Sequence, residues 1–499
     1  MNHQFTPAKQ LVSADDWRPV YHLSPAAVLR RVGEEWATVA DLDGQLLDGW
    51  RFSDRIESDW YLREVELRDP AKRDPVTHEY QRLSVGPAEQ QRAQQYRETI
   101  ENRRYYRMRH VDEMQLNVDA VVMAPPLLNN LNACIAPGDI VVRRVGKVSA
   151  ALVSSYHRRH PVDANIAILR GLNPRQSAWL AYCLNQPIYR SYFEEPGAIV
   201  AMTRVGLKQL SSMPIADRPT AFDKLADQYW QHYERIGLAD ERLQQLRKDI
   251  ADWLLDKIPE HLMAERTDGL LAKRFGVRDV DHTLSYVAAE QNHFCRQLVD
   301  TYQCVPLSHL AEVNPKSKSS TDAELPIIKI GDVKGQLDIQ RDNQASEESR
   351  WRFHRQPLNP LAVVVSTFVQ DPKVGLFSNA SSGSAYASEQ LAVLNFHRTP
   401  GAYALLLETH LVRQQIARLA TGTVQRFVQP EQFKQIVVPP IEDATAQDWH
   451  QRLIELQQQR AGAQAELTQI DDAMRSVFRQ VHPELTTLNS EGSQLEDNG

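Results

Sequence analysis

One closing phrase is written twice in this 499-residue chain, and each time a long helix-forming run follows it. "GAIVAMTRVGLKQLSSMPI" fills Gly197–Ile215, and "GTVQRFVQPEQFKQIVVPP" fills Gly422–Pro440. Both open on glycine, carry Lys-Gln-Leu or Lys-Gln-Ile, and close with an apolar residue and proline. An internal repeat constrains the fold more than any local motif, because each copy must then form a similar unit.

Sliding the chain on itself by 222–225 residues brings further matches into line, in one order. "YYRMRHVDEMQL" from Tyr105 lies over "IIKIGDVKGQL" from Ile327, with Arg107 on Lys329, Met108 on Ile330 and Val111 on Val333. "PGDIVVRRVGKVSAALV" from Pro137 lies over "NPLAVVVSTFVQDPKVGLF" from Asn359, and "NIAILRGLNP" from Asn165 over "QLAVLNFHRTP" from Gln390. Within each copy, "DIVVRRVG" and "LAVVVSTF" are β-branched runs bounded by turn residues, and so predict buried strands. "SAWLAYCLNQPIYRSYF" and "AYALLLETHLVRQQIARLA" carry apolar residues at helical spacing and predict one helix per copy.

The runs after each copy keep a 3.5-residue apolar period over about four heptads, the pattern of a coiled-coil seam. The first seam is predicted through Phe222, Leu225, Tyr229, His232, Ile236, Ala239, Leu243, Leu246, Ile250 and Trp253. The second runs through Trp449, Leu453, Leu456, Arg460, Ala463, Leu467, Ile470, Met474 and Val477. Each helix would be about 40–50 Å long. The fold class expected is α+β: two pseudo-repeated mixed α/β domains separated by two long helices forming an antiparallel coiled coil. The boundaries are 1–220 for the first domain with its N-terminal extension, 221–260 for the first spacer helix and 261–304 for a connector. The second domain spans 305–441, the second spacer helix 442–480, and a polar, disordered tail 481–499.

Composition narrows the setting. Four cysteines form no CxxC pair, which suits a reducing cytosol and argues against a disulfide scaffold. No secretory signal and no membrane-length apolar run is visible, so a cytoplasmic chain without a membrane partner is expected. A net charge of −7 is unlike a freestanding nucleic-acid binder, so any such role must rest on local basic patches or on partners.

A unit closing in "ATGTVQRFVQPEQFKQIVVPPI", followed by a heptad helix and repeated twice, resembles the specificity subunit of type I restriction-modification enzymes. "VPLSHLAEVNPKS" and "LPIIKIGDVKGQL" are similar to that family's opening of a target-recognition domain. The resemblance covers roughly Tyr105 to Val477 and is weaker in the first half. Residues 1–100 and the segment from His261 to Gln303 show no pattern of that family. The resemblance implies a non-catalytic subunit in phage defence, each domain reading half of a split double-stranded DNA site while the helices set the gap. It also implies two methyltransferase subunits docked on the helices, and restriction/translocase subunits through them. S-adenosylmethionine, ATP and Mg would sit on those partners.

DNA contacts are expected from the basic clusters. In the first copy these are Arg103, Arg104, Arg107 and Arg109 around Tyr105 and Tyr106, read as a strand with the arginines at 107 and 109 on one face. Arg143, Arg144 and Lys147 follow at a strand end, then Arg158 and Arg159. The second copy offers Lys316, Lys318, Lys329, Lys334, Arg350, Arg352, Gln370, Lys373, Gln425 and Arg426. Arg and Lys suit phosphates, and Arg and Gln can also read base edges. Solvated surface charge is the competing account for any one of them.

No methyltransferase tetrapeptide, glycine-rich methyl-donor loop or GxxxxGK[ST] phosphate loop is present. Asp41, Asp43 and Asp48 read as turn aspartates, and His157, His160 and Asp163 as a loop rather than a ligand trio. Met202 and Met213 read as core filler. Two rivals stay open: a specificity-like adaptor of another phage-defence system, and a coiled-coil protein-binding scaffold. A lone nuclease is a third reading, which the chain's own residues disfavour.

Overall fold

The computed structural model of the chain describes residues 31–48, 106–117, 134–157, 162–193, 204–259, 293–315, 325–339, 357–368, 372–377, 385–420 and 426–486. It also describes Leu29, His160 and Leu262, and the backbone alone over 67–73 and 80–83. The fold is α+β. The chain divides into two compact units, Met1–Gly237 with Ala463–Gly499, and Leu238–Gly462. Each long helix therefore contributes to both units, where the sequence suggested separate spacer segments.

In the first unit, β1 (Gln45–Asp48), β4 (Met114–Gln115), β5 (Ile140–Arg143), β6 (Ser149–Leu152) and β7 (Ile166–Arg170) form one sheet in the order β1-β7-β5-β6-β4. Strands β2 (Leu67–Arg73) and β3 (Tyr80–Leu83) pair as a hairpin of their own. Central β5 runs antiparallel to both neighbours, with Ile140 opposite Leu152 and Leu169. Because successive strand side chains point to opposite faces, one run of β-branched residues feeds two cores. Ile140, Val142, Ala150, Leu152, Ala167 and Leu169 pack on the helices. Val141, Ala151, Ile166 and Ile168 pack under Tyr106, Val111, Leu116 and Val162.

The helix expected after β7 is two helices, α1 (Pro174–Leu184) and α2 (Pro187–Phe193). Asn173 caps α1 by accepting from Gln176 N–H, while Gln176 returns the bond to Asn173 N–H. The break falls at Asn185, whose amide leaves the helix to pair with Ala150, and Pro187 restarts the next one. A short helix, α3 (Leu207–Ser211), precedes the long α4 (Thr220–Lys257). Trp179 of α1 stands at the centre, 4.7 Å from the Phe222 ring and 5.8 Å from Phe478, and donates to Ala216 O.

In this unit the buried stripe of α4 is Phe222, Ala226, Tyr229, Tyr233 and Ile236. Leu225, assigned to the seam from the sequence, is half-buried at the edge of the core, and Tyr233 takes the place read for His232. The hydroxyl explains the shift: Tyr233 Oη accepts from Leu116 N–H at 2.8 Å and donates to Leu152 O at 2.9 Å.

The second unit holds β8 (Val305–Pro306), α5 (Leu307–Leu310), β9 (Ala311–Val313), β10 (Ile327–Ile328), β11 (Val363–Ser366), β12 (Val374–Leu376), β13 (Tyr386–Ala387) and β14 (Leu391–Phe396). Helices α6 (Pro400–Leu407) and α7 (His410–Leu419), strand β15 (Val437–Val438) and the start of the long α8 (Asp443–Val481) complete it, while α9 (Pro483–Thr486) belongs to the first unit. Its main sheet runs β12-β11-β14-β9, with Val363 opposite Leu376 and Leu394. Val363, Val365 and Leu394 face one core, and Val364, Leu391 and Val393 the other. Here too a single expected helix is two, since Thr409 begins the second.

Along α4 and α8 in this unit, Asp240 bonds Arg460 at 3.2 Å, Asp249 bonds Arg452 at 2.9 Å, and the Trp253 and Trp449 rings lie 5.2 Å apart. Leu243, Leu246, Ile250, Leu453 and Leu456 are buried in the second unit, and Leu467, Ile470 and Met474 in the first. Leu254 and Phe478 fill the places assigned to Trp253 and Val477.

The chain stays ordered past the expected start of the tail. His482 is buried against Trp36 and Leu485 is 1% exposed, both in the first unit; residues 487–499 lie outside the described set. Of the expected connector, a helix over 293–302 buries Phe294 and Leu298 in the second core, and Arg418 lies 4.0 Å over the Phe294 ring. Gln303 and Cys304 follow that helix, and the rest of the segment, Leu262 apart, lies outside the described residues. Among the described residues no helix is long and apolar enough to cross a membrane.

Two helical glycines should answer oppositely to alanine. A Cβ on Gly237 would meet Ser154 Oγ and Tyr156 Cβ at 2.9 Å, whereas one on Gly462 meets nothing within 4 Å. Gly462→Ala is expected to raise the denaturation midpoint, worth up to about 1 kcal/mol of helix propensity. Gly237→Ala should lower it despite the same propensity gain, measured by urea unfolding of the full chain.

Candidate nucleic-acid interface

Among the described residues, the candidate contacts of the first unit lie at two turns. Tyr106 makes a single bridge to Val162, and Met108–His110 is a 3-10 turn, not the strand expected from the sequence. The turn forms because Arg107 N–H donates to the His110 ring at 2.9 Å, and Val111 N–H then closes it on Met108 O. Arg109 is exposed and Arg107 half-buried, so the two do not share one face of a strand.

The second turn is the β5–β6 hairpin. Gly146 takes a positive φ of 68° there, and Arg143 Nε donates across it to Val145 O at 2.9 Å. Lys147 is exposed and pairs with Glu113 at 2.9 Å, and Arg190 reaches the same carboxylate at 2.6 Å. Burial would raise the Glu113 pKa, but the bonds from Lys147 and Arg190 outweigh it and hold the carboxyl below its usual range.

Arg144 must be removed from the DNA-contact set. Its side chain is 3% exposed, ion-paired to Asp48, and donates to Ala164 O at 2.6 Å. Burial lowers its pKa most; Asp48 opposes that, while neighbouring Arg204 adds to it. Asp48 is accordingly a strand residue with a buried partner and not a turn aspartate. Asp41 is the turn aspartate expected, accepting from the Thr38 hydroxyl and N–H, which lower its pKa.

The histidines are structural as well. Ser154 N–H donates to His157 Nδ1 at 2.9 Å, so the opposite nitrogen carries the proton and donates to Leu116 O at 2.9 Å. His110, His157 and His160 surround Tyr106 with ring centroids 5.9–6.4 Å from it. Asp163 accepts from Asn165 N–H. Among the described residues, no three His, Cys, Asp or Glu side chains assemble as a metal site.

In the second unit Lys329 N–H donates to Asp332 at 2.7 Å, which folds Ile330–Asp332 into a 3-10 turn. Lys334 Nζ donates to Gly331 O at 2.8 Å, and Lys373 is half-buried before β12. Arg426 is exposed, with its guanidinium on Ala417 O at 2.7 Å, and next to it Phe427 is 42% exposed. Arg103, Arg104, Arg158, Arg159, Lys316, Lys318, Arg350, Arg352, Gln370, Gln425 and Met202 lie outside the described residues, while Met213 is core as expected.

Sequence reasoning missed Arg204, which donates to Ala164 O at 2.8 Å and bridges Val145 at the hairpin base. Its signal was available: it lies 223 residues before Phe427, within the repeat offset. What these turns offer is a set of fixed cations at strand ends, suited to phosphates.

No family model and no curated relative matches the chain. Among solved structures it is similar to the type I restriction-modification system S subunit from M. genitalium, at 12% identity and a TM-score of 0.34 over 90% of this chain and 94% of that one. It is similar to a structure titled for complex assembly and conformational transition of the type I R-M system, at 14% and 0.24, covering 77% and 90%. It is also similar to the HsdS subunit from Thermoanaerobacter tengcongensis, at 12% and 0.20, covering 75% and 89%.

Arg144→Gln would strand Asp48 and is expected to cost about 2–3 kcal/mol of stability, less than for a fully buried pair because Asp48 keeps some solvent. Lys147→Gln should cost under about 1 kcal/mol; urea midpoints of the two variants separate the roles. For His157, burial depresses the folded-state pKa below the ordinary value near 6.5. Its contribution is therefore complete above about pH 6.5 and is lost as pH falls below it, by at most about 1.4 kcal/mol per pH unit. Stability measured from pH 7.5 to 5 should show a shallower loss in His157→Gln than in the parent chain.

Proposed function

We propose that this chain is the DNA sequence-specificity subunit of a type I restriction-modification complex. Each unit reads one half of a bipartite site, and the long helices set the gap and dock two methyltransferase subunits. Restriction/translocase subunits join through those, and S-adenosylmethionine, ATP and Mg belong to the partners.

The observation that carries this reading is one sequence of backbone bonds found in both units. Val205 N–H donates to Arg144 O, and Val428 N–H to Thr367 O, each at 2.8 Å. Asp163 N–H donates to Tyr106 O, and Ser388 N–H to Ile328 O, each at 2.9 Å. Val39 N–H donates to Met213 O, and Leu307 N–H to Ile436 O. With the matched central strands, these support a duplicated domain. On that reading Met213 corresponds to Ile436, and the Lys-Gln pairs at 208 and 434 fall three positions apart. The opening of the first copy is then Trp36–Asp48, where "ATVADL" stands for "VPLSHL".

Two alike readers on one chain are what a split site requires, since half-sites on one face of the duplex recur every helical turn, about 34 Å. The partner order along α4 and α8 (240 with 460, 249 with 452, 253 with 449) supports an antiparallel spacer. The chain supplies binding and its partners the chemistry, which accommodates a net charge of −7.

The test is to delete the gene, map methylated bases genome-wide, and measure DNA binding of this chain with its methyltransferase. A two-part motif with a fixed gap should vanish on deletion. Affinity should fall with salt at a log–log slope of about −5 for roughly six phosphate contacts. A chain that binds no DNA with the methyltransferase present, or whose deletion leaves every motif intact, is not a specificity subunit.

A further inference from the structure

In the second unit, the turn that follows the Ile330–Asp332 3-10 segment is gripped by charged side chains from both long helices. Arg460 of α8 donates to Asp338 at 3.1 Å and, on its other side, to Asp240 of α4 at 3.2 Å. Gln457, nearly one helical turn earlier, donates to Leu337 O at 2.9 Å. Arg247 of α4 donates to Gly335 O at 2.5 Å while its other guanidinium atoms hold Glu408 at 2.8 Å. Gly335, Leu337 and Asp338 are thus tied to the helices, Leu337 O also accepts from Leu376 N–H of β12 at 2.9 Å, and Leu337 sits at a positive φ of 59°.

These groups are largely withdrawn from solvent: the Arg460 side chain is 17% exposed, Asp240 8% and Asp338 25%. Hydrogen-bonded ion pairs in such surroundings fix geometry more firmly than exposed ones do. Asp338 spends its other oxygen on Ile339 N–H, and its carbonyl accepts from Lys334 N–H, so the carboxylate joins both ends of the turn.

We infer that Arg460, Gln457 and Arg247 are positioning residues for DNA reading: the helix pair, acting with the single β12 bond to Leu337 O, sets where the Lys334–Asp338 turn stands. The role of the turn in reading rests on the function proposed above; its fixation by the helices does not. A partner seated on those helices would then act on the reading turn of this half-site through one guanidinium. Arg452 provides the control. It pairs α8 with α4 through Asp249, as Arg460 does through Asp240, and the pairing recorded for it makes no bond to the turn.

Hydrogen exchange by mass spectrometry on the full chain tests the grip. In Arg460→Gln, and in the near-isosteric Asp338→Asn, exchange in the peptide covering Lys334–Ile339 should quicken tenfold or more, with Arg452→Gln unchanged. Equal exchange in all three variants and the parent overturns the inference, as does equal quickening in Arg452→Gln. Should Arg460→Gln lose its fold, Asp338→Asn still decides, because it leaves the pair with Asp240 in place. Methylation mapping of the same variants addresses reading. Arg460→Gln and Asp338→Asn should admit single-base mismatches in one half of the motif at least tenfold more often than in the other half. Mismatches admitted equally in both halves overturn the positioning role. A parent chain with no two-part motif instead overturns the proposed function while leaving the exchange result standing.

Discussion

A strand that stops early leaves its neighbour's amide and carbonyl bare, and in each unit a side-chain amide takes the missing place. Asn185 accepts from Ala150 N–H and donates to Ala150 O in the first. Gln415 does the same for Val437 in the second, and Asn314 accepts from Val393 N–H at the sheet edge. Sheets buried on both faces cannot leave such groups dry and unpaired, since each would forfeit about 1–3 kcal/mol. The amides on α1 and α7 also fix those helices against their strands. Wedged between sheet and long helices, α1 sets the place of Trp179, and through it the seats of Phe222 and Phe478.

The cations of this chain sort by what they face. Arg144 and Arg170 turn inward, the latter on Asp139, which is 1% exposed. Arg247 and Arg460 tie secondary elements of the second unit together. Arg109, Lys147 and Arg426 stay at exposed turn ends. Counting basic residues in a sequence cannot separate these groups. The first two kinds are held by acids largely withdrawn from solvent, whereas Lys147 meets Glu113 at an exposed turn.

Much of the architecture was nonetheless legible. The β-branched runs at Ile140 and Val363 are the central strands, because a strand dry on both faces has little other composition available. The 3.5-residue stripe on α8 held from Trp449 to Met474. On α4 it slipped by one residue at Tyr233, where a hydroxyl bonding two backbone groups outweighed simple hydrophobicity. The helix break at Asn185 was missed for a related reason, since its partner Ala150 lies 35 positions away, whereas the break at Thr409 rests on local bonds to Leu406. The interface was least readable. Arg107 and Arg109 share a 3-10 turn whose cause is a histidine acceptor three residues along, and Arg144 is hidden by an aspartate 96 positions before it. The proposed counterpart of "VPLSHL" in the first unit went unseen because "ATVADL" matches it in backbone bonds more than in side chains.

The division of the chain has a consequence for the order of assembly. The second unit is one uninterrupted span, Leu238–Gly462, whereas the first needs Ala463 onward to close over Phe222 and Trp179. During synthesis the later span can complete its core while the earlier one still lacks a wall. The ribosome must therefore release α8 before the apolar flank of Phe222, Tyr229 and Ile236 is covered. Until then that flank is open to misassociation.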